Sequence, residues 1–204
     1  MSDVFEDFKK YLPRYLSSLS SKELFDGLKD FPENMNKRFY TDEISLDKNI
    51  IYQGDGIRDL PFIVFPSTKT GNLKAVILTN TCDNDINNKR LNTSYICYSP
   101  LILLDSYKES LLKNSQQSKE SVRGHIDSIK RQEATQFFYF PRGGNLENDS
   151  IIDFSLICSC TNKSIARESL SQKRLFSLSN YGFYLLLFKM SVHFCRMGEN
   201  IDRH

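Results

Sequence analysis

Leu60-Pro61-Phe62-Ile63-Val64-Phe65, then Pro66-Ser67-Thr68-Lys69-Thr70-Gly71-Asn72, then Leu73-Lys74-Ala75-Val76-Ile77-Leu78-Thr79: two short apolar runs enclose a stretch of turn formers. Each run is too short for a stable helix and rich in the β-branched and aromatic side chains that suit a pleated surface. The pattern predicts a hairpin, with strands at 60–65 and 73–79 and the turn at 68–72. Further short strands follow from the same signals. They are Ser94–Ser99, stopped by Pro100, Gln136–Phe140, stopped by Pro141 and the Gly143-Gly144 turn, then Ile151–Cys160 and Arg174–Leu178.

Helical periodicity appears on either side. Val4, Phe5, Phe8, Tyr11 and Leu12 share one helix face behind Asp3, and Ser21 caps a second short helix that Pro32 ends. Residues 105–133 read as a helical insertion, with Tyr107, Leu111 and Leu112 on one face and Val122, Ile126 and Ile129 on another. A closing helix, capped by Ser179 or Asn180, runs to about Arg196 and is apolar around most of its girth, so it is either deeply buried or part of a homodimer interface. Helices do not alternate with every strand, as a parallel doubly wound sheet requires. The fold class is α+β: an N-terminal helical segment over 1–48 and a small, partly open β-barrel domain over 49–204. Val76, Ile77, Leu78, Ile96, Phe138, Phe140 and Leu187 form its expected core.

Composition sets outer bounds. The chain has 204 residues, 40% hydrophobic and 25% charged, which suits one globular domain with a helical appendage. No apolar run approaches the ~20 residues needed to span a bilayer. The start, Met1-Ser2-Asp3-Val4-Phe5-Glu6-Asp7, lacks the basic, apolar character of a signal peptide. The expected location is cytoplasmic. Five cysteines in such a chain argue for reduced thiols. Charge is uneven: residues 1–60 carry nine Lys/Arg against twelve Asp/Glu, and residues 161–196 carry six Lys/Arg against Glu168 alone. The basic back half suggests either a nucleic-acid face or a solvated surface.

Three pieces, Gln53-Gly54-Asp55-Gly56-Ile57, Lys74-Ala75-Val76-Ile77-Leu78-Thr79 and Tyr95-Ile96-Cys97-Tyr98-Ser99-Pro100-Leu101-Ile102, together resemble the plasmid-maintenance toxin family of the MazF, PemK and Kid type. The resemblance covers about a quarter of the chain and implies an SH3-like barrel. It also implies a metal-independent endoribonuclease as one activity. The family's Arg-Pro pair falls on Leu73 and Lys74, and a lysine lacks the planar fork of a guanidinium. Thr79 matches the hydroxyl that ends the family strand.

Beside that resemblance, Thr79-Asn80-Thr81-Cys82-Asp83 is the most unusual local string, placed where a strand gives way to a polar loop. Cys82 is either a nucleophile, with His125 as the only histidine placed to serve it, or a thiol packed at the barrel end while Asn80 and Asp83 bond the turn. The catalytic candidates are therefore Lys74, Thr79, Cys82 and Asp83, with Arg142 added for the ribonuclease. Cys158-Ser159-Cys160 puts two sulfurs on one strand face without the further ligands a zinc site needs. No metal or cofactor is expected. Arg123, Lys130, Arg131 and Arg142 lie near the aromatic run Phe137–Phe140, a combination that suits single-stranded RNA or DNA. Asp83, Arg123, Lys130 and Arg142 are expected to be accessible, with at least two lining one cleft. The leading expectation is an accessory or effector protein of a bacterial stress, toxin–antitoxin or phage-defence locus, binding nucleic acid or a partner protein from the same locus. An endoribonuclease and a cysteine hydrolase are the alternatives.

Overall fold

The computed structural model describes residues 39–41, 46–64, 66–88, 91–92, 94–114 and 116–195. The two helices expected over residues 3–32 lie outside this set. In chain order the elements are β1 (Gly56–Val64), β2 (Lys69–Ile77), α1 (Thr81–Asn84), β3 (Tyr95–Pro100), β4 (Ile102–Leu103), α2 (Leu104–Asn114), α3 (Lys119–Lys130), β5 (Phe137–Phe140), β6 (Ser150–Asp153), β7 (Cys158–Thr161), a 3-10 turn (Asn162–Ser164), α4 (Leu170–Lys173), β8 (Arg174–Phe176) and α5 (Asn180–Cys195). The class is α+β. A five-stranded antiparallel sheet runs in the order β7-β3-β2-β1-β8, beside a three-stranded sheet ordered β4-β6-β5.

The hairpin forms, but its turn falls earlier than expected. Lys69 pairs with Val64 and Asn72 with Pro61, so the chain reverses between Val64 and Lys69, where Thr68 takes a φ of 52°. Gly71 misled the reading. It sits opposite Phe62, whose ring would lie 2.7 Å from any Cβ there, so the glycine makes room for an aromatic ring within a paired strand. A register shift between Ile57 and Leu60 sets Arg58 and Asp59 against Lys74, with Asp59 at a φ of 63°. Such a bulge bends and twists its strand.

The expected strand 151–160 divides into β6 and β7. Asp153 causes the break: its carboxylate accepts from the backbone N–H and the hydroxyl of Ser155, and its carbonyl accepts from Leu156 N, folding the chain into a turn. The insertion at 105–133 is helical as expected. Its α3 is capped by Ser118, whose Oγ accepts from Ser121 N at 3.1 Å.

Side chains alternate across β2, and each face serves its own core. Val76 and Leu78 point into a cluster with α3, α5, β5 and β6, where Phe39, Phe138, Phe140 and Phe176 pack ring on ring. Ala75 and Ile77 point the other way, joining Ile57, Leu60, Ile96, Tyr98, Ile165 and Leu170. Tyr98 of β3 donates its hydroxyl to the Pro61 carbonyl on β1, two strands away, so the sheet curls over this second cluster.

Six of the seven expected core residues are buried. Leu187 is the exception, half-exposed, because α5 turns Tyr181, Leu185, Leu186 and Lys189 inward and Leu187 lies off that face. Ser179 is the cap of α5, accepting from Gly182 N at 3.2 Å. Lys189 is buried yet satisfied, donating to the carbonyls of Gln132 and Ala134 at 2.6 Å each. No helix among the described residues is long and apolar enough to cross a membrane.

Candidate functional site

The segment Thr79–Asp85 leaves β2 and turns at once into α1. Asn80 caps that single turn through Oδ1, which accepts from Cys82 N at 2.9 Å. The stretch before β1 lies alongside. Gln53 donates its backbone N–H to Thr81 Oγ1 at 3.1 Å and its side-chain amide to the Leu78 carbonyl at 2.7 Å. Gly54, at a φ of 90°, lets the chain pass close under Leu178.

From beneath, three buried side chains hold the turn. Asn84 donates to the carbonyls of Ile51 and Thr79 at 3.3 and 3.0 Å. Asn162 donates to the carbonyls of Asp83 and Asn84 at 3.4 and 3.1 Å and to Ser94 Oγ at 3.0 Å. Arg167 donates to the carbonyls of Asn84 and Ile165 at 3.0 and 2.8 Å and to Asn162 Oδ1. Burial pulls the Arg167 guanidinium below its usual range, with Asp85 opposing the shift. Above this network Asn80 and Cys82 are exposed, and Thr81, Asp83 and Asp85 half-exposed. The expectation that Cys82 packs at the end of the barrel is therefore corrected: α1 is too short to bury its outer side, and Cys82 sits there.

A second buried network lies at the start of β1. Asp55 accepts from Arg174 Nε at 3.2 Å, Ser177 Oγ at 2.5 Å and Tyr52 N at 3.0 Å. Desolvation raises its carboxyl to about 6, the Arg174 charge and the hydrogen bonds opposing. Arg174 also donates to the Ile50 carbonyl. This cluster fixes the entry of β1 against β8 and so sets the position of Gln53 beside the turn.

The other catalytic candidates are employed elsewhere. The Thr79 hydroxyl accepts from Cys97 N at 2.5 Å and donates to the Cys97 carbonyl at 3.4 Å, extending the β2–β3 ladder. Lys74 is exposed on β2 opposite the Arg58–Asp59 bulge. His125, half-exposed on α3, meets the Tyr107 hydroxyl at 3.0 Å and packs against Phe137. Cys158 and Cys160 share the face expected of them, pack against the second core cluster, and have thiols raised by burial. Among the described residues no group of three or more His, Cys, Asp or Glu is placed to hold a metal.

Three of the four basic candidates are paired with acids. Arg123 lies 4.0 Å from Asp127, Lys130 3.4 Å from Asp149, and Arg131 makes two bonds of 2.9 Å to Glu133. Arg142, exposed, donates its backbone N–H to Asp149 at 3.1 Å, so its main chain and the Lys130 ammonium meet at one carboxylate, with Arg123 two turns back on the same helix as Lys130. All four of Phe137–Phe140 are buried, because α3 covers one face of β5 and the aromatic core the other. Half of the six basic residues over 161–196 are internal: Arg167, Arg174 and Lys189 are buried and bonded.

In comparison with known proteins, no family model matches the chain, and no curated protein matches it either. Sequence reasoning missed Asn84, Asn162 and Arg167 as the turn's supports. The one local signal for the arginines was charge inside an otherwise apolar setting, Arg174 before Leu175-Phe176 and Arg167 after Ile165-Ala166.

Proposed function

We infer that the chain is a non-catalytic docking module of a bacterial stress, toxin–antitoxin or phage-defence locus, built as a partly open SH3-like barrel, and that the Asn80–Asp85 turn receives a partner protein. The observation that carries this reading is the expenditure of buried side chains on one exposed turn. Asn84, Asn162 and Arg167 all bind main-chain carbonyls there. A buried guanidinium or amide is costly unless bonded, and the bonds that these three side chains make restrain the turn, although Asn84 Oδ1 itself is left without a partner. A restrained turn presenting Asn80, Cys82 and Asp83 loses little entropy on binding.

Catalysis draws less support, because the Thr79 hydroxyl and His125 already have structural partners. The curl that joins Tyr98 to Pro61 supports the barrel reading, and the context of a two-gene locus rests on the sequence resemblance. Calorimetric titration with the product of the neighbouring reading frame tests the proposal. The native chain is expected to bind and a Cys82→Arg chain to bind at least tenfold more weakly. Equal affinities would overturn the assignment of the turn.

A single-stranded nucleic acid is the second reading, favoured by the exposure of Lys130 and Arg142 close together beside Asp149, which such binding would have to displace from Lys130. Binding of this kind weakens with salt by a slope of about −0.7 per phosphate contact. A labelled mixed-sequence oligonucleotide, titrated at low and moderate salt, distinguishes the two: retention at low salt with that slope favours nucleic acid.

A further inference from the structure

We propose that the outer edge of β2, over Lys69–Leu73, is a strand-addition site for an extended, acidic segment of a partner protein. The site is separate from the Asn80–Asp85 turn, which follows the other end of β2. Pro61 shows which way the main chain points. It has no N–H, and its carbonyl takes the Tyr98 hydroxyl, so its pair with Asn72 exchanges no ladder bonds. Asn72 therefore turns its N–H and carbonyl away from β1, and alternation sends those of Thr70 the same way. Lys74, two residues further on, agrees: its carbonyl accepts from Leu101 N at 2.8 Å on the β3 side. There the neighbour ends. β3 pairs with β2 only over Ala75–Ile77, and the chain then departs to pair β4 with β6. Thr70 and Asn72, both exposed, are left with edge N–H and carbonyl groups that have no partner among the described residues. An open edge of this kind is a template for another strand. The hairpin's other edge, on β1, is blunted by the Arg58–Asp59 bulge and by Pro61.

The rim of the edge selects the occupant. Arg58, Lys69 and Lys74 are exposed, with Asp59 as the acid among them, and none of the three cations is in an ion pair among the described residues. Leu73, half-buried, packs against the cluster that holds Ala75 and Ile77, and the half-exposed Phe62 ring lies over Gly71 beside it. Lys74 and Leu73 lie on opposite faces of the strand. A strand laid along Thr70 and Asn72 would set alternate side chains against the apolar step and against the cations. That fits a segment alternating apolar and acidic residues. A second copy of the chain fits poorly, because its own β2 would bring Lys69 and Lys74 toward the same cations.

Titration of the full chain with a fluorescein-labelled octapeptide alternating valine and glutamate, read by anisotropy, tests this. The control is the same peptide with lysine for glutamate. The glutamate peptide is expected to bind, less tightly as salt rises, and to slow amide exchange at Thr70 and Asn72 but not at Gly71, which faces β1. Asn72→Pro removes an edge N–H that the fold does not use, so that chain should keep its circular dichroism spectrum and bind about tenfold more weakly. Thr70→Pro makes the same change two residues nearer the hairpin turn and supplies a second variant. No binding of the glutamate peptide, equal binding of the lysine peptide, or full affinity in either folded proline variant would overturn the proposal. A dimer in light scattering that excludes the peptide would also overturn it, and would give the edge to a second copy.

Discussion

Replacing Asn162 by alanine removes the side chain that ties the 3-10 turn to α1. Its amide group serves Asp83 O, Asn84 O and Ser94 Oγ, and its Oδ1 receives Arg167. The losses are unequal. The Asn84 carbonyl keeps its bond from Arg167, and half-exposed Ser94 can turn to water. The uncompensated group is thus one N–H of a buried guanidinium, since half-exposed Asp83 has other interactions. At ~1–3 kcal/mol for a stranded group, the substitution should cost about 1–3 kcal/mol. For a domain of this size that lowers the melting temperature by roughly 2–12 °C. Thermal unfolding followed by circular dichroism reads the global loss, and amide hydrogen exchange at Cys82 and Asp83 reads the local one. Asn162→Asp, which retains an acceptor for Arg167, should lose less. A melting temperature unchanged by Asn162→Ala, with exchange in the turn also unchanged, would refute the claim that this network holds the turn.

Phe138→Ala, made in the aromatic core, should cost ~3–5 kcal/mol, measured by urea denaturation; a loss below ~1 kcal/mol would contradict the packing of Phe39, Phe138 and Phe140. Asp55, raised from 3.8 to about 6, keeps in the folded state a proton that the unfolded chain loses across that interval. Its contribution to stability therefore falls as pH rises from about 4 to 6, by ~3 kcal/mol, and Asp55→Asn should remove that slope from the pH profile. Lys189, lowered from 10.5 to about 8 by burial, gives the opposite window. Between those values the unfolded chain holds the extra proton, so stability rises with pH, and Lys189→Met should flatten the rise in denaturation midpoints measured from pH 7 to 10.

Local pattern revealed the elements more readily than their partners. The apolar run Leu73–Thr79 marked Val76, Ile77 and Leu78 as buried but not that they serve two separate cores, and the 3–4 spacing of Val122, Ile126 and Ile129 gave the buried side of α3. Gly71 read as a turn because a glycine that clears space for Phe62 looks, in sequence, like one that permits a reversal. The break in 151–160 depended on a short-range bond from the Asp153 side chain, which apolar patterning does not report. In the candidate site, the prominence of Thr79–Asp83 was legible, since its string of small polar residues follows an apolar strand. Its supports were not. Asn162 and Arg167 lie about 80 residues further along, and only the curl of the sheet brings them beneath the turn. Net charge misled for a related reason: it counts Arg167, Arg174 and Lys189 as surface cations, although each is spent on buried carbonyls or a carboxylate.

The most direct test of the docking turn is alkylation of Cys82 with iodoacetamide, read by peptide mass spectrometry in the free chain and in complex with the neighbouring gene product. Cys82 is exposed, whereas Cys97, Cys158 and Cys160 are half-buried and serve as internal references. The account predicts rapid labelling of Cys82 in the free chain and its suppression in the complex, with the other three unchanged. A stable complex in which Cys82 labels at its free rate would contradict it.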